Sequence, residues 1–449
     1  AYGFTHPNLR PLLLKRISDE EKTHIHARTA RWLTTHAEES DMRWMGAMAW
    51  HFRLGGEREQ SAMYDLRAGR WAREKGDLGL AIEHFERAHR DAASRDDRIE
   101  ALLEQGEALL LARRAADAEP LLREAATWIE EQGDPALILR CLGARVYALN
   151  AALDIDATEE VLDRALDLAA SLEDREREAR LLLEHAQLLL GRGEHTASLS
   201  AIEKATSLTE ESGDELIRTR LQLLQGRILM HMGALAEARA TLDEAALKAI
   251  ALHHEVLYEL AQEGKAWVAL AQGEVEEGAK LFEAGAHVFS RLGSPRPALR
   301  CALGLAHVAA SRGDFTLAAN EAAAAYSQAS ERREPVMEAW ALSSIAWIFG
   351  EVRRGKHKLK AKELSQDALR VAKIDLGDHL VRAMETLDSI GGGPGLYRGH
   401  SALALAEHLA DQSAPGVESA LKVAEEAVSG FESGRLRIRY EGLVKRCRA

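Results

Sequence analysis

The chain has 449 residues and a net charge of -13, and it is 46% hydrophobic against 29% charged. That balance suits a soluble, well-packed protein, while the acidic excess argues against generic binding to nucleic acid or to an anionic membrane. Only 9 Pro and 5% aromatic residues occur; Ala, Leu, Glu and Arg abound, residues that favour helix over strand, so an all-α fold is predicted.

The opening, "AYGFTHPNLRPLLLKRISDEEKTHIHARTARWL", lacks an initiator Met, a signal-peptide pattern and any apolar run approaching a membrane span. It fits no repeat, and residues 1–56 are expected to form a helical junction segment. His24 and His26 stand two apart, which puts them on different faces of a helix and makes a shared metal ion unfavourable.

From 57 to 432 the chain repeats. "EKGDLGLAIEHFERA" carries a turn Gly and then Ala81, Phe85 and Ala88 on one helical face. The same small, large, small triplet returns at Ala118, Leu122, Ala125; Thr158, Leu162, Ala165; Ser198, Ile202, Ala205; Ala238, Leu242, Ala245; Gly278, Phe282, Gly285; and Ala318, Ala322, Ala325, its first member advancing from 118 to 158, 198 and onward. Looser copies are expected at Ala361, Ser365, Ala368 and at Ala402, Ala406, Leu409. Gly193, Gly233, Gly273 and Gly313 stand five residues before a triplet, where a helix can stop in a left-handed conformation. Gly133, Gly213 and Gly293 mark the other turn, with Pro135, Pro295 and Pro335 opening the following helix. Small residues twelve before the triplet, at Gly106, Ala186, Gly226, Ala266 and Ala306, with Val146 the exception, let the first helix of each pair approach the second closely. The register slips at "EVRRGKHKLKAKE" after position 350, and "IGGGPG" at 390 to 395 is the expected hinge. Residues 433–449 read as a capping helix or as a further repeat.

This pattern resembles the tetratricopeptide repeat. The resemblance implies a right-handed superhelical α-solenoid of about nine antiparallel helix pairs. It departs from the familiar unit by its 40-residue period, which implies rods of about 18 residues, roughly 27 Å long. The opening segment in turn resembles the junction of STAND-type signal-transduction ATPases, including large LuxR-type and kinase-linked bacterial regulators. Phe4, His6, His26, Ala27, Leu33, His51, Gly55, Ala62, Tyr64, Ala68 and Gly69 fall on that family's pattern. The resemblance implies an ATPase module upstream of these residues.

The sequence itself carries no GxxxxGK[ST] phosphate loop, HExxH, GxSxG or HRD motif. "GPGLYRGHS" has the wrong spacing and His400 where a phosphate-binding Lys would stand. Cys141 and Cys301 share one repeat slot with Leu181, Leu221, Ala101 and Ala261, a core position, and Cys447 stands alone. Neither a catalytic residue, a cofactor nor a metal is expected, and a reducing cytoplasm is the simplest compartment.

The leading expectation is a non-catalytic sensor whose groove takes a protein, a peptide or a small effector and regulates an attached ATPase or output domain. The alternatives are a substrate-recruitment arm of a larger enzyme such as a kinase, and a free-standing scaffold or chaperone adaptor. In the repeat the resemblance implies, the early part of each first helix faces the groove. Arg140, Arg180, Arg220 and Arg300 share that slot, interrupted by Leu260; a second slot holds Tyr147, Gln187, Arg227, Trp267, His307 and Trp347. Four guanidinium groups in file would make a basic ladder for an acidic partner, provided no protein carboxylate lies at hydrogen-bond distance. Otherwise each pairs with an acidic residue of its own or the adjacent repeat and sets the stacking angle. The basic turn at Arg353, Arg354, Lys356, Lys358 and Lys360 is a second candidate for docking an acidic surface, against the alternative of a solvated turn.

Overall fold

The computed structural model describes residues 16–36, 44–152, 154–355, 357–389, 396–412, 416–428 and 435–448, and every regular element among them is helical. Phe4, His6, Lys356 and the Gly-rich stretch at 390–395 lie outside the described residues.

The chain divides into two compact units, Ala1–Ala152 and Leu153–Ala449. The first holds α1 (Asp19–His36), α2 (Met45–Leu54), α3 (Arg58–Glu74), α4 (Leu78–Asp91), α5 (Arg95–Leu111), α6 (Ala115–Gln132) and α7 (Pro135–Ala152). The second begins with α8 (Ile155–Ser171), α9 (Arg175–Arg192), α10 (His195–Ser212), α11 (Glu215–Met232), α12 (Leu235–Ala251) and α13 (Glu255–Gln272). It continues with α14 (Val275–Arg291), α15 (Pro295–Ser311), α16 (Phe315–Glu331), α17 (Pro335–Arg353), α18 (Gln366–Val371), α19 (Leu376–Ser389), α20 (Leu396–Asp411), α21 (Val417–Val428) and α22 (Arg435–Arg448). The division falls between α7 and α8, inside the array expected from 57 to 432.

The helices of the array keep the expected length, 18 residues in α9, α11 and α13 and 17 in α12, α14 and α15. Their turns keep a stricter beat than the glycines alone reveal. Positive φ recurs at Arg113, Gly133, Glu173, Gly193, Gly213, Gly233, His253, Gly273, Gly293, Gly313 and Arg333, all spaced by multiples of twenty residues. Arg113, Glu173, His253 and Arg333 therefore hold a conformation in which Cβ crowds the following carbonyl. Relief of that strain outweighs the entropy Gly adds to the unfolded chain, so Glu173→Gly and Arg333→Gly should each raise stability by about 0.5–1 kcal/mol in chemical denaturation. No gain at either site would mean that these turns carry no strain.

The triplets form the core. Ala118, Leu122 and Ala125, Ala238, Leu242 and Ala245, and Phe282 are fully buried. The small residues of the first helices do what close approach demands: a Cβ on Gly106 would lie 2.6 Å from Leu122 Cδ2, one on Gly226 2.6 Å from Leu242 Cγ, and one on Gly304 2.5 Å from the Phe282 ring. The copy expected at Ala361, Ser365 and Ala368 is not a triplet. Ala361–Glu363 is a 3-10 turn, and the Ser365 hydroxyl accepts the Ala368 N–H at 3.1 Å, capping α18 from outside the helix. Here the beat breaks, with positive φ at Gly355, and α17 packs against α19 and α20.

In the first unit Gly55, Gly69 and Tyr64, of the family-pattern residues that the structure describes, are packing residues. A Cβ on Gly55 would lie 2.8 Å from the Ala27 backbone, one on Gly69 2.5 Å from the Phe85 ring, and Tyr64 stacks on Phe52 at 5.4 Å. His26 and His51 meet through their Nδ1 atoms at 2.9 Å. Buried Asp65 holds Arg53 and accepts from His84 Nδ1 at 2.7 Å.

Candidate functional site

In the second unit, successive first helices pack directly on one another: α9 on α11, α11 on α13, α13 on α15 and α15 on α17. Such packing along one side only, the second helices meeting closely just at α16 and α18, curves the stack toward the first helices and makes their free face the inner wall. The curvature is tight enough that α20 also touches α9.

The arginine slot is occupied by ion pairs. Arg140, in the first unit, is bidentate to Glu107 at 2.7 and 2.8 Å, and that carboxylate raises its pKa. Arg180 meets Glu176 at 2.7 Å and Asp214 at 3.5 Å, Arg220 meets Glu184 at 3.4 Å, and Arg300 is bidentate to Glu263 at 3.2 and 2.6 Å. The condition set for a basic ladder is thus not met: every one of the four has a carboxylate at hydrogen-bond distance. Arg140, Arg220 and Arg300, three of the four, find their partner in the preceding first helix and so tie neighbouring repeats together.

The second slot behaves differently. Trp267 is 8% exposed and lies edge-on to Phe282 at 4.9 Å and to His307 at 5.8 Å. His307 stacks on Trp347 at 5.2 Å and meets Ser344 Oγ at 3.2 Å through Nε2. Trp340 extends the cluster, 5.3 Å from Trp267 and 6.4 Å from His400 of α20. Glu263 links slot to slot, since its Oε1 accepts the Trp267 indole N–H at 2.7 Å while the carboxylate holds Arg300. Burial of a charge with two donors around it leaves the indole in one orientation. Tyr147, in the first unit, is 40% exposed.

Next to Arg227 along α11, His231 lies parallel to His195 at 6.1 Å. Burial pushes the pKa of His195 down to about 4. That of His231 falls well below the usual value, first through burial and then through Arg227, His195, His400 and Arg300. Both imidazoles are therefore uncharged at neutral pH. Trp340, His195 and His231 were not singled out in the sequence, and His400 was noted there only as standing where a phosphate loop would carry Lys. Trp340 continues the arginine slot by one further period, a signal that was available; the histidines carried none, because their neighbours come from other repeats.

The basic turn separates into local partners. Arg353 Nη2 meets His408 Nδ1 at 3.0 Å, Arg354 pairs with Asp411 and, at 2.7 Å, with Glu351, and Lys360 meets Glu363 at 3.2 Å. Two of its five cations thereby anchor α20. Cys141 and Cys301 are buried, and burial pushes the Cys141 thiol up to about 12 and Cys301 likewise upward. Among the described residues no cluster of three His, Cys, Asp or Glu could hold a metal ion, and no helix is long and apolar enough to cross a membrane.

No protein-family model and no curated protein sequence matches the chain. Solved structures do match. A Rap protein complexed with competence and sporulation factor shares 13% identity at a TM-score of 0.57, over 86% of this chain and 99% of that one. The quorum sensor NprR from B. thuringiensis in its apo form shares 13% at 0.52, over 83% and 99%, and NprR in complex with its cognate peptide NprX gives 13% at 0.51, over 80% and 99%. A signal transduction ATPase with numerous domains and a tetratricopeptide repeat sensor, from Pyrococcus horikoshii, shares 15% at 0.48, over 83% of this chain and 54% of that one. The fold is that of tetratricopeptide-like helical repeat proteins.

Proposed function

We propose that the chain is a non-catalytic, peptide-binding sensor whose ligand lies on the inner wall of the second unit and whose occupancy regulates an attached STAND ATPase or output domain in the bacterial cytoplasm. The observation that carries this reading is the gathering of Trp267, His307, Trp340, Trp347 and His400 from four helices onto one wall. Indole rings supply much contact area for little lost side-chain freedom, and a wall formed by several helices contacts an extended chain at several points. The Rap and NprR structures with bound factor or peptide lend support, since their chains match this one over most of their length. The buried thiols, held protonated, offer no nucleophile.

Selection from a displayed peptide library against the full chain tests the reading. Selected peptides should lose at least about tenfold in affinity on Trp340→Ala, by the cost of truncating a buried aromatic anchor. Peptides that bind parent and variant equally would place recognition elsewhere.

A further inference from the structure

After α17 the chain runs against its own composition: residues 353–373 hold eight Lys and Arg against two Glu and Asp, in a protein of net charge -13. Arg353 and Arg354 hold α20, where they meet His408 and Asp411. The lysines that follow do not. They stand on a strap, residues 357–365, that is tied to α16 along its length. The His357 ring stacks on Phe315 at 3.9 Å, and the Lys360 N–H donates to Thr316 Oγ1 at 3.0 Å. The Asn320 amide brackets the next turn, donating through Nδ2 to the Glu363 carbonyl at 2.9 Å and accepting the Ser365 N–H at 2.8 Å. Leu359 and Leu364 pack into the core. With those two turned inward, Lys358, Lys360 and Lys362 are left exposed. Lys360 is extended, at φ -89° and ψ 92°, and in an extended run alternate side chains share a side about 7 Å apart. Among the described residues Lys358 and Lys362 have no carboxylate partner. Lys360 meets Glu363 at 3.2 Å, with both side chains more than half exposed, a pair that contributes little. α16 is the second helix of its pair, so the strap lies off the inner wall and acts independently of any ligand there.

We propose that this strap docks an extended acidic segment of a protein partner, whose alternate Glu or Asp side chains pair with Lys358, Lys360 and Lys362. Alternate residues of an extended segment repeat at the same spacing as the lysines. The hydrogen bonds to Thr316 and Asn320 hold the strap in place beforehand, which removes an ordering cost that docking would otherwise carry. A nucleic acid suits it less. Only Leu359 and Ala361 stand between the lysines, with no ring to stack a base, and a polyphosphate running on past three cations would meet an acidic protein.

The test titrates the full chain into fluorescein-labelled Ser-Glu-Ser-Glu-Ser-Glu-Ser, into the same peptide with Gln for Glu, and into a thymidine oligonucleotide of equal length, following anisotropy at low salt. The acidic peptide should bind, and the other two much more weakly. Lys358→Gln combined with Lys362→Gln should lower its affinity roughly fivefold. Lys280→Gln combined with Lys445→Gln, which removes the same charge at two other exposed positions, should leave it unchanged. Asn320→Ala keeps every charge but unties the strap, and it should lose part of the affinity; thermal melts confirm that the variants are folded. Equal losses in the two double variants, or full affinity in Asn320→Ala, would reduce the binding to general electrostatics and overturn the docking site. Tighter binding of the oligonucleotide would overturn the protein partner, and an acidic peptide that fails to bind at all would overturn both.

Discussion

Gly304→Ala lowers the stability of the second unit by about 1–3 kcal/mol, the cost of overpacking a close-packed interior. The sign is what makes the result informative. In a helix interior Ala ordinarily gains about 0.5–1 kcal/mol over Gly, and Gly143 of α7, with nothing within 4 Å of an added Cβ, should show that gain. At Gly304 the new methyl would lie 2.5 Å from Phe282 Cε1 and Cζ. Phe282 is fully buried and edge-on to Trp267 at 4.9 Å, so its ring has little room to turn aside. Replacing Phe282 by Leu in the same chain should recover part of the loss, because the branched aliphatic chain is smaller than the ring. Urea denaturation of the four proteins, parent, both singles and the double, checks this. Additive losses would show that the two residues do not meet.

That contact also shows how much of the fold was legible in the sequence. The triplets and the small residues twelve before them recur within one pair, and the period extends them along the chain, so the helix pairs, their length and their core followed directly. Phe282 and Gly304, however, belong to successive pairs, and only the packing of α14 on α15 brings them together. The left-handed turns were visible where Gly marked them; at Arg113, Glu173, His253 and Arg333 the backbone follows the beat with residues that give no local sign. The arginine pairs were legible in principle. Glu107, Glu184 and Glu263 precede Arg140, Arg220 and Arg300 by 33, 36 and 37 residues, just under one period, and a search for partners four residues away along a helix passes over them. What the sequence did not offer was the place His400 takes. Its approach to Trp340, and its influence on His231, depend on α20 taking its place beside α17 after the repeat has lost its register, and on α20 then reaching α9.

Glu263→Ala should destabilise the second unit by about 3–5 kcal/mol, the range for removing one partner of a buried ion pair. The Glu263 side chain is 4% exposed and that of Arg300 14%, so the guanidinium left behind is poorly solvated and the Trp267 N–H loses its acceptor. Glu263→Gln should cost less, because the amide oxygen still accepts from the indole. If charge burial is the main term, Glu263→Leu combined with Arg300→Met should recover most of the loss, an apolar pair replacing an ionic one at similar volume. Ligand binding should not recover with it. The indole would no longer be fixed by its hydrogen bond, and Trp267 would settle among the orientations that the surrounding rings allow. Denaturation and peptide affinity, measured on the same three variants, separate the two roles of this carboxylate. If affinity returned in step with stability, Glu263 would act on the site through the fold alone; stability without affinity assigns it the positioning of Trp267.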